Sequence, residues 1–437
     1  MPTPSLLIVP ARFKTGRLYS QIPTNTDNRG DFTVTRNTTA TRFTSAGLLE
    51  SVASGIPRLD YYTSGGTAGC PALLVEPAAT NLSFNSADFT ASGTWTSGAN
   101  TISANVTATL DPAGTNTAEK IIPTAVSTTH FISSVQSIAI TSGTTYTLSV
   151  FAKAGGYDFL RVAFSTEIMP ASNRGASFNL TSGTVGDTQA GVTARIENYG
   201  NGWYRCSISR AATISATPSS PFFFNSQNSD SATSVTFTGD GTSGAFLWGA
   251  QLETGSVATS YIPTTAGTGS RSADVISVSG AVSGSIGQTA GTAYLEIVAV
   301  SGTNSGRVLS LTESGAPTNN RIAFTIDASN HRLEVIVRSS GSITNGSIGS
   351  SAATLLVNGV NKIAYAYDGV AGSNALAING SVVATNSQTL AFTQALSRVN
   401  VAILESDLTV ATNQRIRAVA LYTTRLTNAE LATLTTP

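Results

Sequence analysis

The chain has 437 residues and a formal net charge of +0, and only 11% of its residues are charged, against roughly 25% in an average globular chain. This length predicts two or three domains, and the zero net charge supplies no overall field that would attract a nucleic acid or an anionic membrane. Two cysteines, Cys70 and Cys206, exclude a disulfide framework, and two histidines do not suffice for a tightly spaced zinc site.

Residues 1–85 carry regularly spaced prolines and short extended stretches such as residues 31–35 (DFTVT). Proline fixes φ and removes a donor from the strand ladder, so this composition is typical of edge strands and ordered loops. The arginines of residues 1–60 are interleaved with apolar residues rather than grouped in one block, which favours a protein-facing surface over a nucleic-acid patch. We expect residues 1–85 to be an extended attachment region.

Residues 86–265 show a regular pattern of short strands separated by Gly, Asn and Ser turns. In residues 145–152, Tyr146, Leu148 and Val150 alternate with Thr and Ser, which is the period-two signature of a strand with one buried face. Further strands are predicted at residues 159–164, 176–180, 191–198, 203–209, 234–237 and 245–252. Strands at this spacing indicate a sandwich or jelly roll, and the turn-rich residues 263–270 mark its end.

Residues 266–437 contain a second series of short strands, predicted at residues 292–300, 307–312, 321–327, 333–338, 361–367 and 375–379. Asn379-Gly380, flanked by apolar runs, is the strongest hairpin signal in the chain. Thr427 and Glu430 fit a capping box, which predicts one short terminal helix. The fold class expected from the sequence is therefore all-β, with an N-terminal extended attachment region followed by two β-sandwich (jelly-roll) domains.

Several segments in the first two regions resemble bacteriophage tail-fibre and other virion-surface proteins. In the N-terminal region the resemblance rests on residues 36–43 (RNTTATRF), 47–50 (GLLE), 57–61 (PRLDY) and 70–77 (CPALLVEP). Further on, residues 81–82 (NL), 201–205 (NGWYR), 248–253 (WGAQLE) and 260–265 (SYIPTT) look like the carbohydrate-module-like jelly roll that usually follows such a region. The match covers most of residues 30–265 and implies attachment to a virion.

The last region, residues 266–437, is similar to laminin-G and concanavalin-A-like lectin or glucanase sandwiches. The similarity rests on residues 364–369 (AYAYDG), 376–383 (LAINGSVV), 417–422 (RAVALY) and 426–431 (LTNAEL). It implies the fold more firmly than a ligand, because one fold hosts many functions.

Patterns for catalysis are weak. Retaining glycosidases place two carboxylates about 5–5.5 Å apart, and the Glu-x-Asp-x-x-Glu string that would do so on a lectin-like strand does not occur. Glu405 and Asp407 fall in a predicted loop. A serine triad needs a histidine held by a carboxylate, whereas His130 and His331 lie in plain polar contexts. We expect no enzyme.

Tryptophan is the natural residue for stacking on a sugar face. Trp95, flanked by Gly, Ser and Thr, is the first choice for a ligand contact, and Trp203, Tyr204 and Trp248 are further candidates. Core packing is favoured for Trp203 and Trp248, because both fall inside motifs that look like framework. No organic cofactor is expected. Calcium, which takes carboxylate and carbonyl oxygens, is considered at Asp240 or Asp368, although a turn-forming role is favoured for both.

These features together predict a non-catalytic bacteriophage virion component: a fibre, a spike or a head or tail decoration. Residues 1–85 would contact other virion proteins, and the sandwiches would bind a host-surface glycan for adsorption. Neither nucleic acid nor membrane insertion is expected, and a homotrimer is favoured because several copies raise the effective concentration of weak sites. The apolar run at residues 6–9 is too short for a signal peptide, so we expect synthesis in the host cytoplasm and a final location on the virion surface. A tail-associated polysaccharide depolymerase and a purely structural capsid or tail cement stay open as alternatives.

Overall fold

A computed structural model describes residues 1–21, 30–63, 66–172, 174–299, 306–315, 318–327, 332–339, 342–343, 348–349, 356–369, 373–402 and 413–437. The described chain consists mainly of β-strands and their connections, with one α-helix, α1 (Asn428–Leu434), and one 3-10 turn (Ala281–Ser285). The strands pair into extended antiparallel sheets that pack around hydrophobic cores. This confirms the expected all-β class with β-sandwich domains.

The strands are numbered in chain order. Those within residues 1–85 are β1 (Leu6–Ile8), β2 (Phe13–Lys14), β3 (Arg17–Leu18), β4 (Phe32–Thr35), β5 (Ala40–Phe43), β6 (Leu49–Val52), β7 (Arg58–Thr63), β8 (Gly66–Val75) and β9 (Ala79–Asn81). Those within residues 86–265 are β10 (Trp95–Gly98), β11 (Asn100–Ser103), β12 (Glu119–Pro123), β13 (Ser127–Thr129), β14 (Phe131–Ser134), β15 (Thr145–Gly155), β16 (Phe159–Phe164), β17 (Gly175–Asn179), β18 (Thr184–Thr188), β19 (Thr193–Asn198), β20 (Tyr204–Ala211), β21 (Phe222–Gln227), β22 (Thr236–Thr238) and β23 (Gly244–Thr254). Those within residues 266–437 are β24 (Gly269–Arg271), β25 (Val275–Ser279), β26 (Ala290–Ala299), β27 (Gly306–Thr312), β28 (Arg321–Asp327), β29 (Arg332–Ser339), β30 (Ser342–Ile343), β31 (Gly359–Asp368), β32 (Asn374–Ile378), β33 (Ser381–Asn386), β34 (Arg398–Val401) and β35 (Gln414–Tyr422).

The larger sandwich packs two antiparallel sheets face to face. Among the described residues, eight strands form the first sheet in the order β33-β32-β31-β26-β35-β8-β7, with β1 also pairing with β35. Nine described strands form the second in the order β2-β3-β4-β25-β34-β27-β28-β29-β30. Leu295, Leu311, Phe324 and Tyr365 belong to the hydrophobic core of this sandwich. Helix α1 covers an alanine-rich outer patch of the first sheet through Leu431.

The N-terminal strands are part of this larger sandwich. Leu7 in β1 pairs with Ala420 in β35, and Val34 in β4 pairs with Ile276 in β25. Apolar side chains from the same region, including Phe32, complete the core. The structure therefore differs from the sequence-based division, which set residues 1–85 apart as an extended attachment region. These strands bury their apolar faces in a core that the last third of the chain also builds.

The smaller sandwich is inserted between β9 and β24. Its sheets have the orders β10-β14-β21-β16-β17-β18 and β11-β12-β23-β15-β20-β19, and its core includes Leu148, Val150 and Phe164. The inserted chain leaves and returns at one place, because β9 and β24 pair with each other. The molecule is thus one sandwich with a second sandwich inserted into its sequence.

Three local predictions are confirmed in detail. Tyr146, Leu148 and Val150 of β15 point into the core of the smaller sandwich. Asn379 and Gly380 join β32 to β33 with φ values of 48° and 86°, which suits the left-handed backbone of a tight hairpin. The capping box of α1 is present, with Glu430 N donating to Thr427 Oγ1 and Thr427 N donating to the Glu430 carboxylate.

Candidate functional site

Five charged side chains meet where the two sandwiches join, and we call them the joint cluster: Arg36, Arg58, Glu76, Arg271 and Asp274. Arg36 Nη1 lies 2.9 Å from Asp274 Oδ1, and Arg58 Nη1 lies 2.6 Å from Glu76 Oε2. Arg58 Nη2 also binds Asp274, and Arg271 Nη1 lies 3.1 Å from Glu76 Oε2. Every one of these side chains is at most 1% exposed, so the ion pairs lie inside the protein.

Burial and charge pairing act against each other in the joint cluster. Burial lowers the pKa of Arg36 and of Arg271. For Glu76, burial alone would raise the pKa, but the guanidinium groups of Arg271 and Arg58 hold it below its ordinary value. For Arg58, burial would lower the pKa, but Asp274 and Glu76 raise it above its ordinary value. The cluster thus sets three guanidinium groups against two carboxyl groups.

The segment that leaves the smaller sandwich, residues 255–262, is fixed across the outer face of the sheet that contains β15, β20 and β23. Thr147 Oγ1 donates to Gly255 O at 2.8 Å, and Ser209 Oγ donates to Ser256 O at 2.9 Å. Ser260 then enters the joint cluster, where its backbone N–H donates to Glu76 Oε1 at 2.8 Å. The polar face of this sheet therefore serves to hold the connection between the two sandwiches.

Aromatic rings fill the rest of the interface between the sandwiches. Phe43 and Tyr62 come from the N-terminal strands, and their ring centroids lie 5.2 and 4.9 Å from that of Tyr199 in the smaller sandwich. Trp203 and Trp248 belong to the same buried cluster. The segments that resemble virion proteins, among them residues 36–43, 57–61, 70–77 and 260–265, thus supply the contacts that join the two sandwiches.

An open groove runs along the edge strand β19 of the smaller sandwich, and we call it the β19 groove. Its volume is about 260 Å³, and its lining residues are Thr193, Ala194, Arg195, Ser207, Ser209, Ser256 and Val257. This volume is just below the roughly 300–1,000 Å³ of small-molecule sites. Four of these seven residues carry hydroxyl groups, and two of the four, Thr193 and Ser256, are exposed. The hydroxyls of Ser207 and Ser209 are buried and donate to Arg195 O at 3.4 Å and to Ser256 O at 2.9 Å.

Beyond Arg195 and Val257 the β19 groove continues into a narrow crevice at the interface, with a volume of about 30 Å³. A space of this size admits only about one or two water molecules. The Arg415 side chain closes this crevice. Its Nε atom lies 2.7 Å from Asp60 Oδ2, and its guanidinium carbon lies 4.8 Å from the centroid of the Tyr62 ring. Burial and then the charge of Glu197 raise the pKa of Tyr199 to about 12. The crevice is thus an interdomain contact filled by paired groups, and the β19 groove is the more open of the two.

A shallower hollow of about 500 Å³ lies on the larger sandwich beside the loop that joins β27 to β28. Its buried amide, Asn320, donates from Nδ2 to Glu313 Oε2 at 2.7 Å and to Thr393 Oγ1 at 3.1 Å. The Asn320 Oδ1 atom accepts from Thr393 N at 3.1 Å. These hydrogen bonds use both the nitrogen and the oxygen of the Asn320 amide, and they link two loops.

The three tryptophans lie in the protein interior. Trp95, at 6% exposed, packs on Phe89 and Phe222 and donates from Nε1 to Asn85 O at 3.1 Å. The structure thus corrects the sequence-based choice of Trp95 as the first ligand contact. Trp203 and Trp248 are 2% and 6% exposed, in agreement with the favoured core role. None of these three indole faces is open to a sugar.

Tyr204, Asp240 and Asp368 also occupy structural positions. The Tyr204 ring packs so closely against the turn at Gly183 that a Cβ added to Gly183 would lie 2.5 Å from the ring. The Tyr204 side chain also packs against the core of the smaller sandwich. Asp240 Oδ1 accepts from Thr242 N and Ser243 N in an exposed turn, and the Ser243 side chain, followed by these backbone bonds, lowers the pKa of Asp240. Asp368 ends β31, and Ser373 N donates to its carbonyl at 3.3 Å. In the described part of the chain, no three His, Cys, Asp or Glu side chains come together as metal ligands.

Of the other groups considered for catalysis, the structure describes His130, which is not part of the β19 groove lining. His130 is 1% exposed, with its Nδ1 2.7 Å from Ala99 O and its Nε2 3.0 Å from Phe237 O. His331, Glu405 and Asp407 lie outside the described residues.

Sequence reasoning did not single out Glu119, a carboxyl group at the start of β12. Glu119 is 2% exposed and accepts a hydrogen bond from Phe89 N at 3.0 Å. Burial, followed by the charge of Asp88, raises the pKa of Glu119 to about 8. An isolated Glu in a strand gives no sequence signal for such a shift, because the shift depends on the fold around it.

No protein-family model matches the sequence, and no curated protein matches it. Among solved structures, the chain is similar to the NanB sialidase of Streptococcus pneumoniae, with 15% identity and a TM-score of 0.30. That match covers 37% of this chain and 27% of the sialidase chain, so this chain spans about a quarter of the sialidase. None of the helices in the described part of the chain has the length and hydrophobicity to cross a bilayer.

Two further solved structures show the same weak likeness. The CBM40 of the Ruminococcus gnavus IT-sialidase has 18% identity and a TM-score of 0.29, covering 34% of this chain and 84% of the module. The SAP-like pentraxin of Limulus polyphemus has 16% identity and a TM-score of 0.27, covering 33% and 69%. The R. gnavus module was also solved bound to alpha2,3 sialyllactose. At TM-scores near 0.3, these likenesses carry no argument about what this chain binds.

Proposed function

We propose that this protein is a non-catalytic component of a bacteriophage virion surface that binds host glycans, and that the β19 groove is its binding site. The observation that carries the proposal is the groove itself, an open depression in which the exposed residues Thr193 and Ser256 lie beside Arg195 and Val257. Saccharide hydroxyls bind such donors and acceptors, while the C–H edge of a sugar packs on an aliphatic side chain. The virion assignment is supported by the motif resemblance in residues 36–77 and 201–265.

The architecture favours presentation of such a site on a rigid body. The joint cluster and the aromatic interface tie the smaller sandwich to the larger one at several points, which fixes the direction in which the groove faces. Because β1 to β4, β7 and β8 are paired inside the larger sandwich, docking to other virion proteins would use the outer surface of that sandwich. A homotrimer would place several grooves on one particle and raise their effective concentration.

Binding of the purified full chain to immobilised host polysaccharides tests the proposal, with sialyllactose included as a small probe. Arg195→Ala removes a donor at the groove wall and should weaken binding about ten-fold or more, in the range for a hydrogen bond to a charged group. The matched control is Arg17→Ala, since Arg17 lies on the larger sandwich and donates to Thr33 Oγ1. Equal loss in both variants, or none in either, would contradict a site in the groove.

Two further measurements separate the alternatives. Appearance of new reducing ends during prolonged incubation with the polysaccharide would identify a depolymerase and overturn the non-catalytic assignment. Electron microscopy of labelled particles gives the location of the chain. If the protein lay buried between capsid subunits, with the groove covered, a purely structural cement would replace adsorption as its role.

A further inference from the structure

The charges around the β19 groove indicate which class of glycan it would accept, an inference that rests on the proposed function. We infer that the groove takes an uncharged, hydroxyl-rich saccharide rather than an acidic one. Arg195 is the cationic residue of the groove lining, and its side chain is 24% exposed. Its Nη2 atom lies 3.7 Å from Oε1 of Glu197, two residues along the same face of β19.

The other arginines around the groove and the crevice are already engaged. Arg415 is paired with Asp60 at 2.7 Å, and Arg42 is paired with Glu50 at 2.6 Å. A fourth arginine, Arg205, is only 2% exposed. Among the described residues that line the β19 groove and the crevice, each exposed guanidinium group therefore faces a carboxylate of the protein.

Arg205 serves the connection between the sandwiches. It donates from Nη1 to Thr259 O at 2.6 Å and from Nη2 to Ser149 Oγ at 3.1 Å, and its guanidinium lies over the Phe151 ring at 5.2 Å. An acidic sugar could reach this group only by displacing residues 255–262 from the sheet face.

An acidic ligand at this groove would therefore have to compete with the carboxylate of Glu197 for the guanidinium of Arg195. A carboxylate ligand binds most strongly to a cation that has no carboxylate partner already and that it can approach with good hydrogen-bond geometry. Beside Glu197, such a ligand would also be repelled by the like charge. Neutral hydroxyls carry no such cost. They can accept from Arg195, donate to Glu197, and exchange hydrogen bonds with the exposed Thr193, so the ion pair acts as one neutral donor and acceptor unit.

A salt titration of binding by the full chain tests this inference. The neutral probes are dextran, mannan and arabinogalactan, and the acidic probes are polygalacturonate and sialyllactose. We expect the wild type to bind at least one neutral probe with less than about a two-fold change in Kd between low and high NaCl, because salt screens ionic contacts and not hydroxyl contacts. The acidic probes should bind at least about five-fold more weakly.

Glu197→Gln provides the diagnostic variant, because it keeps the size of the side chain and leaves Arg195 without its carboxylate. This variant should gain salt-sensitive binding to polygalacturonate of about five-fold or more over the wild type. Glu50→Gln, which removes the carboxylate paired with Arg42, is the matched control and should show no such gain. Thermal unfolding of both variants checks that they fold.

The outcomes separate the inference from the function on which it rests. Salt-sensitive binding of the wild type to acidic probes alone would overturn the inference and leave glycan binding in place. A Glu197→Gln variant that folds and gains nothing would also overturn it. Absence of binding to both probe classes and to host polysaccharide would overturn the proposed function itself.

Discussion

The joint cluster leads to a sharp prediction for Asp274→Asn. The Asp274 carboxylate is the shared acceptor for Arg36, for Arg58 and for the backbone N–H of Glu76, which donates at 3.0 Å. The substitution would leave three buried guanidinium groups facing the single carboxylate of Glu76 within the cluster. Removing one partner of a buried ion pair costs about 3–5 kcal/mol, because the remaining charge is buried without compensation. We therefore expect the free energy of unfolding to fall by about that amount.

Glu50→Gln makes the same chemical change in an exposed pair. The side chains of Arg42 and Glu50 are 21% and 42% exposed, and such surface pairs contribute about 0–1 kcal/mol. Urea unfolding followed by both tryptophan fluorescence and circular dichroism gives the comparison, since all three tryptophans belong to the smaller sandwich or its interface. If Asp274→Asn lost no more stability than Glu50→Gln, the reasoning on the joint cluster would be refuted.

Two smaller predictions concern single elements of the fold. Glu119 keeps its proton up to about pH 8 in the folded protein, against an ordinary value of 4.5, so the free energy of unfolding should decline as the pH rises between these values. Glu119→Gln should flatten this decline in urea melts recorded from pH 5 to 9, and an unchanged slope would contradict the role assigned to burial beside Asp88. Thr427→Ala removes the side chain that caps α1 and should cost about 0.5–2 kcal/mol in the same melts. Thr433→Ala, on the exposed side of the helix, should cost less than Thr427→Ala, and the reverse order would argue against the capping box.

Local patterns in the sequence were sufficient for the elements whose partners are close along the chain. The strand at residues 145–152, the turn at Asn379-Gly380 and the capping box at Thr427 each depend on neighbouring residues, and all three are confirmed. The expected polar face of that strand is buried as well, with Thr147 at 1% and Ser149 at 0% exposed. The all-β class follows from the same local signals. It needs no knowledge of which strands pair.

These local patterns do not predict which residues pair when they are far apart in the sequence. The arginine pattern of residues 1–60 predicts a surface that faces another protein, yet Arg36 and Arg58 face Asp274, more than 200 residues away in the same chain. Trp95 was misjudged for a related reason. Its Gly, Ser and Thr neighbours indicate an open loop, whereas the ring packs under Phe222, whose proximity no local pattern encodes.

The β19 groove also could not be predicted from the sequence. Serine and threonine at alternate positions indicate only a polar face of a strand. Whether that face is open or covered depends on residues 255–262, which cross one part of the sheet and leave the edge at Thr193 and Arg195 free to line a depression.

The insertion of one sandwich into another sets an order for folding during synthesis. Leu7 pairs with Ala420, so β1 must wait until the ribosome has added about 410 further residues, which takes about 20–80 s at ordinary elongation rates. The strands of the smaller sandwich, in contrast, pair among themselves and can fold while translation continues. During that delay β1 has no edge to join, and the locally paired strands β2 to β4 and β7 to β8 lack the later strands that complete their sheets. We expect this interval to be the time when the nascent protein is most exposed to aggregation and to chaperones.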